Sequence, residues 1–162
     1  MIDRMFVKAL GAVFIFIMIC VFAGVVMLCT KSAYSMERCE PYREMVEVIL
    51  KQEAVSVDYY YLMVAESKCT QKALSGKGAR GFWQLMPSTS KHYGCNDPFD
   101  LECSTRAAAK YLKHLESVFS SFDDVIIAYN MGGHNYKRIG KPTSEAKGLL
   151  MTVKGYLRND NQ

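Results

Sequence analysis

Residues 65–69 read Ala65-Glu66-Ser67-Lys68-Cys69, and residues 73–87 read Ala73-Leu74-Ser75-Gly76-Lys77-Gly78-Ala79-Arg80-Gly81-Phe82-Trp83-Gln84-Leu85-Met86-Pro87. Glu66 closes an apolar run, and no Asp or Glu follows it until Asp97. Gly76, Gly78 and Gly81 stand too close together for a helix interior. The pattern is a helix that delivers one carboxylate into a glycine-rich turn ending in Trp83 and Gln84. A carboxyl in apolar surroundings resists ionisation and can donate a proton near neutral pH. An aromatic face and an amide beside such an acid suit a sugar, the ring against Trp83 and its polar substituents against Gln84.

Working outward, the stretch resembles the catalytic core of the lytic transglycosylases, the soluble-lytic-transglycosylase-like branch of the lysozyme superfamily. That family reads Glu-Ser, a short spacer, Ala-x-Ser, then Gly-Ala-x-Gly-hydrophobic-x-Gln-hydrophobic-Met-Pro-x-Thr. The matching residues are Glu66-Ser67, Ala73-x-Ser75, Gly78 to Pro87, and Thr89. Trp83 is similar to the membrane-bound D-type enzymes, where many other members have Met. A second motif, Ala128-Tyr129-Asn130, matches about sixty residues further on, and the resemblance runs from about Pro41 to Gly140. It implies a mainly α, lysozyme-like fold with at most a short hairpin at the glycine turn. It also implies Glu66 as catalytic acid and Ser75, Trp83, Gln84, Met86, Tyr129 and Asn130 as substrate-binding residues. The resemblance implies that Ser75 helps position the sugar acetamido group or the carboxylate and that Tyr129 stands beside the acid. Read from the residues alone, Asn130 serves equally as a helix cap, Tyr129 as core, and Ser75 as a turn residue.

One segment departs from the family. Where members read Pro-x-Glu-Thr-x-x-Tyr-Val, this chain has Pro142, Glu145-Ala146 and Leu149-Leu150. The Thr and Tyr are missing, so the cleft is barer there or Tyr156 substitutes from further along.

The 162 residues carry a net charge of +4, which suits an anionic cell-wall polymer. No basic stripe interleaved with aromatics appears, so nucleic acid is not an expected partner. Ala9 to Cys29 is free of charge and flanked by Arg4, Lys8 and Lys31. At 1.5 Å per residue it makes about 30 Å of helix, enough to cross a bilayer core. Residues 1–30 are therefore expected to be a transmembrane anchor, with the N-terminus inside and the domain outside. A cleaved signal is the competing reading, since Ala33-Tyr34-Ser35 forms a small-x-small site. Residues 31–40 read as a linker and 41–162 as the catalytic domain. The expected location is the bacterial envelope: inner-membrane anchored and facing the periplasm, or exported there if the segment is cleaved.

Cysteine usage agrees with an oxidising compartment. Cys20 and Cys29 fall in the apolar segment, while Cys39, Cys69, Cys95 and Cys103 fall in the domain. Four cysteines allow three connectivities. Cys95 and Cys103 flank the turn Asn96-Asp97-Pro98 and are expected to pair, leaving Cys39 to tie the first helix to Cys69 in the active-site loop. There is no Cys-x-x-Cys, and the histidines are His92, His114 and His134, which read as surface. Neither a metal nor a cofactor is expected.

Helices are expected from Pro41 to about Gln52, with Met45, Ile49 and Leu50 inward, and from Ser56 to Glu66. Further ones start at Pro87 and near Asp100, the latter carrying Ala108, Tyr111, Leu112, Leu115 and Phe119 as a packing face. A helix from Asp123 or Asp124 delivers Tyr129 and Asn130 before a break at Met131-Gly132-Gly133, and a last one spans about Thr143 to Leu157. Three functions fit. The first is a lytic transglycosylase cutting the MurNAc–GlcNAc bond of peptidoglycan to 1,6-anhydro-MurNAc ends. The second is a lysozyme-type hydrolase of the same bond, for which a second carboxylate would come from Asp97, Asp100 or Asp123. The third is an inactive wall-binding scaffold. The small size resembles the specialised enzymes that open local gaps for secretion, conjugation or pilus machines, which would then be partners beside the glycan strands and the inner membrane.

Overall fold

The computed structural model describes residues 34–160. The expected anchor or signal, residues 1–30, lies outside the described residues, as do residues 31–33 of the expected linker. Helix α1 covers residues 34–52. A 3-10 turn, Val57–Tyr59, leads into α2, Tyr60–Ser67. After the glycine turn come α3, Pro87–His92, and α4, Leu101–Val118. Then follow α5, Phe122–Met131, α6, Gly133–Ile139, and α7, Ser144–Asp160. The domain is mainly helical, with pairing at the glycine turn limited to two isolated bridges, Leu74 with Arg80 and Arg80 with Leu85.

The linker expectation fails over 34–40, which is already helical, and Pro41 lies inside α1 rather than at its start. A proline inside a helix costs about 3 kcal/mol. Tertiary fastening upstream offsets that cost: Ser35 and Cys39 are buried, and Cys39 is bonded to Cys69. The inward face is Val46, Ile49 and Leu50, while Met45 points to solvent. The second disulfide joins Cys95 to Cys103, as expected from the intervening turn.

Short polar caps fix the helix starts. Ser56 Oγ accepts from the Asp58 N–H, Asp100 from the Cys103 N–H, and Ser121 from the Asp124 N–H. Helix α2 is apolar almost all round, and Tyr60, Tyr61, Leu62, Met63 and Val64 are all buried. A helix of that composition belongs in the interior. It packs on α7, which also packs on α5, and α5 contacts α4 and α6. Among the described residues no helix is long and apolar enough to cross a membrane.

One polar cluster ties the first and last helices. Arg43 donates through Nη2 to Asp160 Oδ2 at 2.7 Å and through Nε to Glu47 Oε1 at 2.7 Å. The Tyr61 hydroxyl also donates to Asp160, and the guanidinium lies 5.3 Å from the Tyr60 ring centroid. Hydrogen bonds from Arg43 and Tyr61 hold the Asp160 carboxyl down at about 2. Its stabilising effect is therefore full above the ordinary Asp range and is lost as pH falls toward 2. Asp160→Asn should lower stability at pH 7 by about 1 kcal/mol, and the gap between variant and parent should close near pH 2 in thermal melts.

Candidate active site

Glu66 is the penultimate residue of α2, so the buried helix brings it to the surface at one point. The chain then turns away through two consecutive left-handed non-glycine residues, Lys68 at φ 49° and Cys69 at φ 54°. Such backbone costs of order 1–2 kcal/mol per residue. It is held by the Lys68 N–H bond to Val64 O at 2.8 Å, by the Cys69 N–H bond to Ser67 Oγ at 3.1 Å, and by the Cys39–Cys69 bridge.

The glycine turn folds on itself opposite the acid. Gly81 N–H donates to Ala73 O at 2.9 Å, and Arg80 N–H to Leu85 O at 3.0 Å. Ser75 Oγ accepts from Ala79 N–H at 2.9 Å. Gln84 has φ 47°, and its amide nitrogen donates to Gly81 O at 2.9 Å and Ala73 O at 3.3 Å. That leaves its carbonyl oxygen as the group Gln84 offers outward. Gly81 has φ 73°, and a Cβ there would lie 1.9 Å from Pro98 O. Only glycine permits that approach.

Between the turn, α5, α6 and the start of α7 lies a cleft of about 840 Å³. Glu66 lines it, together with the expected Ser75, Gln84, Met86, Tyr129 and Asn130. Trp83 does not. Its ring is fully buried, and its indole N–H donates to Thr105 Oγ1 at 2.9 Å. The aromatic-platform role expected for Trp83 is therefore a correction: the side chain is a pillar between the turn and α4. Its backbone oxygen accepts from the Tyr129 hydroxyl at 2.8 Å, which fixes Tyr129 to the same pillar. Asn130 lies inside α5, whose cap is Gly132, so the capping role does not apply to it.

Several lining residues escaped sequence reasoning. Tyr111 was read as packing, yet it lines the cleft with its ring 5.4 Å from that of Tyr129. A phenol within an otherwise apolar stripe was the available signal. Asn135 and Arg138 come from α6, which the double glycine at 132–133 had disguised as a break. Tyr156 is buried in the core and Leu149 packs against it, so Tyr156 does not fill the place of the missing family tyrosine. Asp97, Asp100 and Asp123 lie elsewhere; the second carboxylate lining the cleft is Glu145, in the first turn of α7. It is exposed and bonded to Lys77 of the glycine turn at 2.7 Å.

Burial pushes the Glu66 carboxyl up to about 7, and the negative charge of Glu145 adds to the shift. Burial likewise drives the Tyr129 phenol well above its ordinary value, with Glu66 and Tyr111 contributing. Near neutral pH Glu66 can therefore hold a proton and, after giving it up, take one back.

A helical domain built around one half-buried acid at an open cleft defines a lysozyme-like class. Residues 47–151 match the family model described as Transglycosylase SLT domain, and the chain belongs to that family. It is 30% identical over 118 residues to membrane-bound lytic murein transglycosylase D of Escherichia coli K12, covering 68% of this chain and 26% of that protein. It is also 30% identical over 86 residues to the transglycosylase of Enterobacteria phage PRD1, covering 53% of this chain and 32% of that protein. The chain thus spans about a quarter to a third of the length of these two curated relatives.

Three variants test the stability of this site. Gly81→Ala must displace the Pro98 carbonyl and should cost about 3 kcal/mol or more in urea unfolding. Gly76→Ala, with nothing within 4 Å of its Cβ, should stay within about 0.5 kcal/mol of the parent. For Glu66 the raised value means that the folded state favours the protonated carboxyl. Its contribution is full below about 4.5 and is lost as pH rises through about 7. Glu66→Gln should therefore melt higher than the parent at pH 8, by about 1–3 kcal/mol, and alike near pH 4.

Proposed function

We propose that the chain is a peptidoglycan lytic transglycosylase that cuts the β-1,4 bond between MurNAc and GlcNAc without water. The observation that carries this reading is the single half-buried carboxyl, Glu66, raised to about 7 at the cleft. Protonated Glu66 donates to the glycosidic oxygen, and the bond from that oxygen to C1 of MurNAc breaks, releasing GlcNAc. The C6 hydroxyl of the same MurNAc then closes on C1 and gives its proton to the Glu66 carboxylate. The result is a 1,6-anhydro-MurNAc end and a re-protonated acid, with all atoms drawn from the substrate. Ser75, the Gln84 carbonyl and Asn130 hold the sugar's polar groups, and Met86 and Tyr111 offer it apolar faces. The relatives named lytic murein transglycosylase and transglycosylase support the same reaction class.

A hydrolase is the second reading, favoured by Glu145 alone, since hydrolysis needs a second carboxyl near the bond. The Lys77 ammonium neutralises that carboxylate, which argues against its serving as base or nucleophile. An inactive scaffold would be expected to lose the acid or its glycine frame, and both are present. The charge-free Ala9–Cys29 segment supports attachment to the inner membrane, or export, with the domain in the periplasm. Local wall opening for a secretion, conjugation or pilus machine is part of the same proposal.

Mass analysis of fragments released from purified sacculi in ¹⁸O-labelled water tests the reaction. Anhydro ends without label are expected; reducing MurNAc ends carrying label would establish the hydrolase instead. Glu66→Gln should stay folded and lose about 10²–10⁴ in rate, and the parent's kcat/KM should decline as pH rises above about 7.

A further inference from the structure

A second cavity, about 460 Å³, opens beside the cleft between the C-terminal half of α4 and α6. Its volume falls in the range of about 300–1,000 Å³ usual for small-ligand sites. It adjoins the cleft, because Tyr111, Gly132 and Asn135 line both. Its apolar surface is Leu115, Val118 and Phe119. Phe119 is held by the Tyr136 ring at 5.4 Å, and Tyr136 by its hydroxyl bond to Asp124 at 2.6 Å. Gly133 sets the inner end, since a Cβ there would come within 2.8 Å of Leu115 Cδ2. At the rim stand His114, His134 and Lys137, all exposed, and no carboxylate is among the described residues lining it.

We propose that this cavity receives the peptide stem of the glycan strand whose sugars lie in the cleft. The proposal rests on the reading of the cleft as a peptidoglycan site. A stem is a short peptide with small apolar side chains and free carboxylates, attached to alternate sugars. An apolar floor with a rim of basic side chains and no acid complements that chemistry, and the two spaces lie side by side across the shared residues, so a branched molecule can place one arm in each. The cleft itself lacks this bias, because its two cations, Lys77 and Arg138, share it with two carboxyl groups, Glu66 and Glu145, and Lys77 is paired with Glu145. The stem would bring binding energy from outside the reacting sugars, so its effect should appear as a preference between substrates.

The test uses the purified full chain and two substrates, glycan strands with intact stems and the same strands stripped by an amidase. The parent should show the higher kcat/KM on stem-bearing strands. His134→Glu combined with Lys137→Glu should raise KM on those strands about fivefold and leave stripped strands unaffected, with an unchanged melting temperature. Lys137→Arg should keep the preference. Equal cutting of both substrates by the parent, or equal slowing of both by the double variant, overturns the stem site. A parent that cuts neither overturns the glycan reading itself, and the stem site with it.

Discussion

The constraint from which the rest of the structure follows is the desolvation of one carboxyl. Glu66 rides on a helix whose other residues are nearly all buried, and a charge at its end is poorly hydrated. An acid in that position is destabilising whenever it is ionised, so the domain must supply rigidity elsewhere. The strained exit through Lys68 and Cys69 and the bridge to Cys39 provide it on one side. The glycine turn provides it on the other.

That turn separates two tasks that a reading of composition merges. Aromatic residues near a sugar site invite the expectation of stacking, but Trp83 is spent on architecture. Its indole reaches Thr105 on α4, and its carbonyl holds Tyr129 on α5. The groups left facing the cleft are smaller and more polar, with Tyr111 and Met86 as its apolar surfaces. The cleft therefore presents positioned polar atoms more than a broad aromatic platform.

The helices were legible in the sequence where local chemistry marks them: the Ser56 and Asp100 caps, Pro87 at a helix start, and the apolar stripe of α4. The Cys95–Cys103 bridge followed from the turn that the two residues flank, Cys39–Cys69 as the pair then left, and Glu66 from its isolation among apolar neighbours and glycines. What was not legible depended on long-range packing. The fate of Trp83 is set by Thr105, a residue on another helix. The helicity of 34–40 is set by the anchoring of Ser35 and Cys39, which outweighs the proline that follows. Glu145 and Arg138 reach the cleft only because α6 and α7 fold back over it, and no local pattern carries that information. Helix α6 was hidden because Gly132 is at once the cap of α5 and the entry to α6.

The contact between Gly81 and the Pro98 carbonyl reaches beyond stability into how the domain can diverge. The space a side chain at position 81 would need is held by a loop that is itself closed by Cys95 and Cys103. Neither segment can change size first: a larger residue at 81 requires the loop to withdraw, and the bridge resists withdrawal. Loop and turn are therefore locked into a single unit of variation. Freeing the loop would not be enough by itself, because the left-handed backbone at position 81, φ 73°, also holds it to glycine.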